Sequence, residues 1–285
     1  LGKSQQIELF NKRQAMFSIH YPNHNYGQIL EYLSTTKTNS VKTSSLPLAD
    51  FWHPERNCLL KKELFDKIGV CSLNFESADY CFEYPTPAYE DGESGKQLPY
   101  SRSSMTDLMI IFKDGPRVTI EAKYTEFEKD KEYKPTLNNW LEKKPHKEAI
   151  AQCWLDYIFN NGFGEIDKLT TLKNSAPNLP YQFLHRTASA CFKCNQPILV
   201  YQLFFENNSI NRLKDFEEKL KESANNLKLN QTCLPFFIVE VLVEHYPEPV
   251  MGDASSIFVE MKNTMQYKFG KAIKVLNGYS LDQII

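Results

Sequence analysis

The chain has 285 residues, 42% hydrophobic and 13% aromatic, enough for a sizeable core, and its formal net charge is −2. That balance excludes a polycationic nucleic-acid coat and a disordered polar chain, and no apolar run is long enough to span a bilayer. Seven cysteines, scattered and odd in number, argue for reduced thiols in a cytoplasmic protein rather than a disulfide framework.

Residues 5–17 place Ile7, Leu9, Phe10 and Met16 at spacings that predict an amphipathic helix, and residues 27–33 a second short one. The Ser/Thr-rich stretch 34–45 has the composition of an exposed loop. Residues 57–67 predict a helix with Leu59, Leu60, Leu64 and Phe65 inward, stopped by Gly69. Residues 1–70 thus read as a helical N-terminal segment of a single elaborated domain spanning 1–285. Cys81-Phe-Glu-Tyr84 is a strand candidate closed by Pro85 and Pro87, and the polar, Gly-rich residues 90–97 form a loop.

The run from Thr106 to Lys123 is the densest in chemistry. Two apolar β-type stretches, Leu108 to Phe112 and Val118 to Ile120, flank a turn at Asp114-Gly115. Strand side chains alternate, so Glu121 and Lys123 share a face, and an antiparallel hairpin sets Asp107 roughly opposite Glu121. The apolar flanks predict central strands, where charges need a reason. Two carboxylates supply the hard oxygens Mg²⁺ prefers while water and substrate phosphate fill its other positions, and a lysine beside them can hold an attacking water or offset charge on a phosphorane. The chemistry implied is phosphodiester hydrolysis; the alternative is an exposed pair at a strand end. Arg102, just before this strand, is placed to contact phosphate oxygens or simply to make a polar strand entrance.

Further along, residues 146–159 and 181–191 predict helices, the second with Tyr181, Leu184 and Ala188 on one face and Gln182, His185, Arg186 and Ser189 on others. Arg186 is the candidate there for a phosphate or base contact. His185 is the weaker candidate for a general base, because a metal-bound water already has a lowered pKa. Cys191-Phe-Lys-Cys194 is half of a zinc site that His185 or a distant cysteine would have to complete, or a pair of ordinary cysteines. Residues 197–205 and 235–243 are long buried-strand patterns, and residues 210–226 a charged amphipathic helix with Leu213, Phe216 and Leu220 as its stripe. Residues 262–274 carry four lysines and no acid, which makes Lys268 and Lys271 candidates for nucleic-acid contact or a solvated face. Strands separated by helices predict an α/β architecture with a mixed central sheet flanked by helices.

The Asp107 and Glu121-Ala122-Lys123 pattern resembles the PD-(D/E)xK nuclease superfamily, with Thr106 where its proline usually stands. The chain is also similar to uncharacterised bacterial proteins of restriction-endonuclease type. The resemblance implies a restriction-endonuclease-like fold and a Mg²⁺-dependent endonuclease acting on DNA, Mn²⁺ being able to substitute. Asp107 and Glu121 would hold the metal and Lys123 would position the water. The resemblance also implies an acid-bearing helix ahead of the sheet, making Glu63 an additional candidate carboxylate with Glu83 and Glu8 as competitors. A glutamine on the helix after the Glu-x-Lys strand is implied too, for which Gln152 is the candidate. An enzyme of restriction type would act as a symmetric dimer with a cognate methyltransferase as partner. A structure-directed or repair nuclease, one acting on RNA, and a non-catalytic nucleic-acid-binding module of the same fold are the alternatives.

Overall fold

Runs of aliphatic, β-branched and aromatic side chains build one open seven-stranded sheet in a computed structural model of the chain. The structure describes residues 19–21, 27–29, 32–33, 44–53, 55–70, 73, 78–89, 96–98, 101–113, 115–124, 135–142, 146–230, 232–245 and 266–274. The strands lie side by side in chain order: β1 (Ile19–Tyr21), β2 (Asp79–Thr86), β3 (Ser104–Ile111), β4 (Arg117–Lys123), β5 (Pro197–Phe205), β6 (Phe236–His245) and β7 (Gln266–Lys274). The first four form an antiparallel meander, β4, β5 and β6 run parallel, and β7 returns antiparallel. Parallel neighbours need long crossovers, and the helices supply them.

Two helical layers cover the sheet. On one face lie α1 (Ser45–Phe51) and α2 (Cys58–Lys67), which bury Phe51, Leu64 and Phe65 with Leu108, Ile120, Ala122, Val200 and Val239. On the other lie α3 (Leu137–Leu141), α4 (Lys147–Phe159), α5 (Leu169–Ser175), α6 (Tyr181–Cys191) and α7 (Ile210–Asn226), packed around Tyr201, Leu203, Phe236 and Ile238. The alternation of strand side chains divides the two cores: along β4, Val118, Ile120 and Ala122 face the α1/α2 layer, so Thr119, Glu121 and Lys123 face α6. The fold is therefore mixed α/β with helices on both faces of an open mixed sheet. No helix among the described residues is long and apolar enough to cross a membrane.

The helix over residues 57–67 forms as α2 and stops as its sequence predicts, but of its four expected inward side chains only Leu64 and Phe65 are buried, while Leu60 is partly buried and Leu59 is 84% exposed. Gly69 adopts φ +80°, its N–H donates to Asp66 O, and Val70 N–H donates to Phe65 O, satisfying two terminal carbonyls. Other expectations need correction. The strand begun at Cys81 runs from Asp79 through Pro85 to Thr86; among the described residues β1 pairs only with Tyr80 to Phe82, so Pro85 sits where β2 is flanked by β3 alone, a place in a sheet that tolerates proline. The N-terminal segment is not wholly helical, since Ile19–Tyr21 form the edge strand β1. Residues 27–29 and 32–33 are helical, and of the exposed loop expected at 34–45 the last two residues, Ser44 and Ser45, are instead buried at the start of α1; the helix expected at 5–17 and residues 34–43 lie outside the described residues. Of the lysine-bearing stretch 262–274, residues 266–274 form strand β7, and the rest lies outside the described residues.

Candidate active site

The β3–β4 hairpin sets Asp107 and Glu121 across from each other, because the register pairs Leu108 with Ile120. Asp107 lies within β3 rather than at its start, which is Ser104. The two strands cease to pair beyond Leu108, and the Asp107 side chain replaces the missing backbone partner: Ala122 N–H donates to Asp107 Oδ2 at 2.9 Å. One carboxylate is thereby fixed to the backbone of the residue between Glu121 and Lys123.

Glu121 is 1% exposed and buried among donors of this chain. Lys123 Nζ donates to its Oε1 at 2.9 Å, as the shared face predicts, and Gln182 Nε2 donates to the same oxygen at 2.9 Å. Arg186 Nε lies 2.6 Å from Oε2, a close ion pair whose N–H is not aimed along the contact. Burial pushes the Glu121 carboxyl above its usual range; Arg186 pulls it back, Asp107 pushes it further up and Lys123 pulls it down. Burial works against the Arg186 cation in turn, but the charges of Glu121 and Asp107, with smaller contributions from Tyr201 and Glu83, hold its pKa above the ordinary value.

Helix α6 carries the donors because Gln182, Arg186 and Ser189 recur at helical spacing and face β3 and β4. Arg186 Nη1 donates to Ser104 Oγ at 3.0 Å, and that oxygen lies 3.0 Å from Ser189 Oγ and 2.8 Å from His185 Nδ1. Both ends of α6 are anchored. At its start Tyr181 stacks on Trp140 with ring centroids 3.7 Å apart, and at its end Arg117 of β4 donates to the carbonyls of Ala190 and Phe192. Burial, reinforced by Arg186 and Lys123, holds His185 well below its ordinary pKa, so its imidazole is neutral at pH 7 and serves as a partner of Ser104.

Glu83 joins this region from β2. The ladder pairs Phe82 with Leu108 and Tyr84 with Thr106, which sets Glu83 across from Asp107, and there its backbone takes φ +51°, a conformation costing a non-glycine residue on the order of 1–3 kcal/mol. It is 5% exposed, and its charge is felt by Arg186.

The other candidates lie elsewhere. Glu63 is on α2, on the opposite face of the sheet, half-exposed and 3.7 Å from Lys67 one turn on. Gln152 is a staple: its Nε2 donates to Asp156 Oδ1 and Asp167 O, both at 2.8 Å, and its Oε1 accepts from Leu169 N–H at 2.9 Å at the start of α5. The glutamine at the carboxylates is Gln182, whose spacing from Arg186 by one helical turn is the signal that could have found it. Arg102 is exposed beside the start of β3. Arg186 is engaged with Glu121 rather than presented to solvent. Lys268 is exposed on β7, three strands from β4 and so roughly 14 Å away at the spacing of paired strands. The side chain of Lys271 and all of Glu8 lie outside the described residues. Cys191 is buried, its thiol pushed well up by burial, and Cys194 is partly exposed. No third His, Cys, Asp or Glu joins them among the described residues.

Among the described residues no three such side chains converge on one point near Asp107 either. Mg²⁺ needs only one or two protein carboxylates beside water and phosphate, and Asp107 and Glu121, on paired strands and aimed to one face, fit that demand. No curated protein and no solved structure matches the chain. One family does match, over residues 22–235, a span holding β2 to β5, α6 and every residue of the cluster around Glu121. Its description is a domain of unknown function, DUF6946, and the chain belongs to that family.

Proposed function

We propose that this protein is a metal-dependent endonuclease that hydrolyses DNA phosphodiester bonds, of restriction or defence type. The observation that carries the reading is the pairing of Asp107 with Glu121 across β3 and β4, with Lys123 Nζ 2.9 Å from Glu121 Oε1. The order of a helix, a three-strand meander bearing Asp and Glu-x-Lys, a helix over the carboxylates and a parallel strand also supports a restriction-endonuclease-like arrangement. Asp107 and Glu121 would hold Mg²⁺ or Mn²⁺, which when bound supplies a water of lowered pKa and charge stabilisation at the leaving 3′ oxygen. The chain's own contribution is positioning. Ala122 N–H fixes Asp107, Gln182 fixes the Glu121 carboxylate plane, and the Lys123 ammonium orients the attacking water and offsets charge gathering on the phosphate.

In this reading DNA is the partner, two copies of the chain would cut the two strands, and a methyltransferase would protect the host sequence. The test is incubation of unmodified and modified plasmid DNA with Mg²⁺, Mn²⁺ or EDTA, beside Lys123→Ala. Discrete metal-dependent fragments absent with Lys123→Ala support a site-specific endonuclease, whereas a smear points to a structure-directed or repair nuclease. The complete enclosure of Glu121 by Lys123, Gln182 and Arg186 favours a second reading, a non-catalytic nucleic-acid-binding module. DNA binding without cleavage under every metal condition would establish that second reading and overturn the first.

A further inference from the structure

The geometry points to Arg186 as a resident counter-cation that competes with the divalent ion for Glu121 and must withdraw onto Ser104 before the metal can load. This inference rests on the metal-dependent reading above. Glu121 Oε1 receives two donors, Lys123 Nζ and Gln182 Nε2, each at 2.9 Å, which occupies both of its lone-pair directions. Oε2 accepts no hydrogen bond among the described residues and lies 2.6 Å from Arg186 Nε. A divalent ion is therefore left with Oε2, the oxygen that would hold it. An arginine nitrogen already against that oxygen occupies the same approach and repels the incoming charge.

The alternative position is already built. Arg186 Nη1 donates to Ser104 Oγ at 3.0 Å, and Ser104 is held by His185 Nδ1 at 2.8 Å and Ser189 Oγ at 3.0 Å. Arg186 can give up one anchor while keeping the other. Arg186 is 9% exposed and its guanidinium stays charged at any working pH, so the exchange is one of position and not of protonation. Arg186 is thus a positioning residue that sets how much divalent ion the site requires, keeping the buried Glu121 compensated when none is bound.

Two substitutions should move metal affinity in opposite directions, which a merely structural role would not do. Mn²⁺ binding to the full chain is measured by calorimetry and by the paramagnetic resonance signal of free Mn²⁺. Arg186→Gln removes the competitor and should tighten Mn²⁺ binding at least tenfold. Ser104→Ala removes the withdrawal point and should weaken it several-fold, and this loss should vanish in the double variant. Asp107→Asn should abolish binding in every background. Equal Mn²⁺ affinity in wild type and Arg186→Gln, or weakening by both substitutions, overturns the inference while leaving the metal-dependent reading intact. Binding by Arg186→Gln alone, with none by the wild type, supports it in its strongest form. Absence of Mn²⁺ binding in all variants overturns the inference and the metal-dependent reading together.

Discussion

The two faces of the central sheet bury charge in different ways. On the α6 face, Glu121 meets Lys123, Gln182 and Arg186, and Arg186 reaches Ser104 beyond. On the α1/α2 face the layer is aromatic and apolar, and its fully buried Asp50 is joined by Arg56 at 2.5 Å and by Tyr267 Oη, which donates at 2.8 Å. The Asp50 cluster ties α1 to its own following loop and to β7, an arrangement that a folding role explains. The Glu121 cluster joins neighbouring strand residues to a helix some sixty residues away, beside a strained Glu83, and folding alone gives no reason for that much polar chemistry at the end of two apolar strands. Burying a charge with few partners serves structure, and gathering several around one carboxylate suggests work.

Substitutions should separate the faces. The largest effect expected is on catalysis: Glu121→Gln should lower metal-dependent DNA cleavage by about 10³-fold, near 4 kcal/mol of transition-state stabilisation. Cleavage at wild-type rate by a folded Glu121→Gln protein would erase the functional distinction between the faces. Next comes the apolar layer, where Leu64 is 0% exposed among the α1/α2 core, so Leu64→Ala should cost about 3 kcal/mol in urea unfolding with little change in cleavage per folded molecule.

Asp50 supplies a pH signature for the same face. Burial raises its carboxyl from an ordinary 3.8 to about 6, against the opposing pull of Arg56 and of the Tyr267 hydrogen bond. A raised carboxyl pKa means the folded state holds the proton longer than the unfolded one, so stability should fall as pH rises from about 4 to about 6 and level off above. The drop attributable to Asp50 is on the order of 2–3 kcal/mol. Unfolding free energies measured across pH 4 to 7 for wild type and Asp50→Asn should therefore converge at the acidic end, with the slope missing from the variant; parallel curves would contradict the assignment.

Smaller still is the contrast between the two glutamines. Gln152→Ala should cost about 1–2 kcal/mol of stability by freeing the loop before α5, with cleavage unchanged. Gln182→Ala should reduce cleavage by more than it reduces stability, since its partner is Glu121. Glu63→Ala should alter neither by more than about 0.5 kcal/mol, as expected of an exposed helix pair.

Much of the secondary structure was legible because period and punctuation agree. The helix at 181–191, the strand at 197–205 and the helix at 210–226 appear with the bounds their sequence predicts, and α2 ends on its glycine. The strand β7 was not legible, since lysines on an edge strand read as a solvated basic run. Around the site, the common face of Glu121 and Lys123 and the opposition of Asp107 follow from strand alternation and one short turn. The wrong glutamine followed from choosing a helix by its order in the chain, when the helix that reaches β4 is the later one.

The sequence by itself determined which residues could be strand or helix and that Asp107, Glu121 and Lys123 would meet, because those contacts span one hairpin and depend on local geometry. Only the tertiary structure decided that Gln182 and Arg186 surround Glu121 with Ser104 behind Arg186, that Glu83 lies across from Asp107 in a strained backbone, and that Glu63 lies across the sheet. Those outcomes depend on which helix packs on which face. That choice is made by the fit of whole apolar surfaces and leaves no mark in the spacing of any single segment.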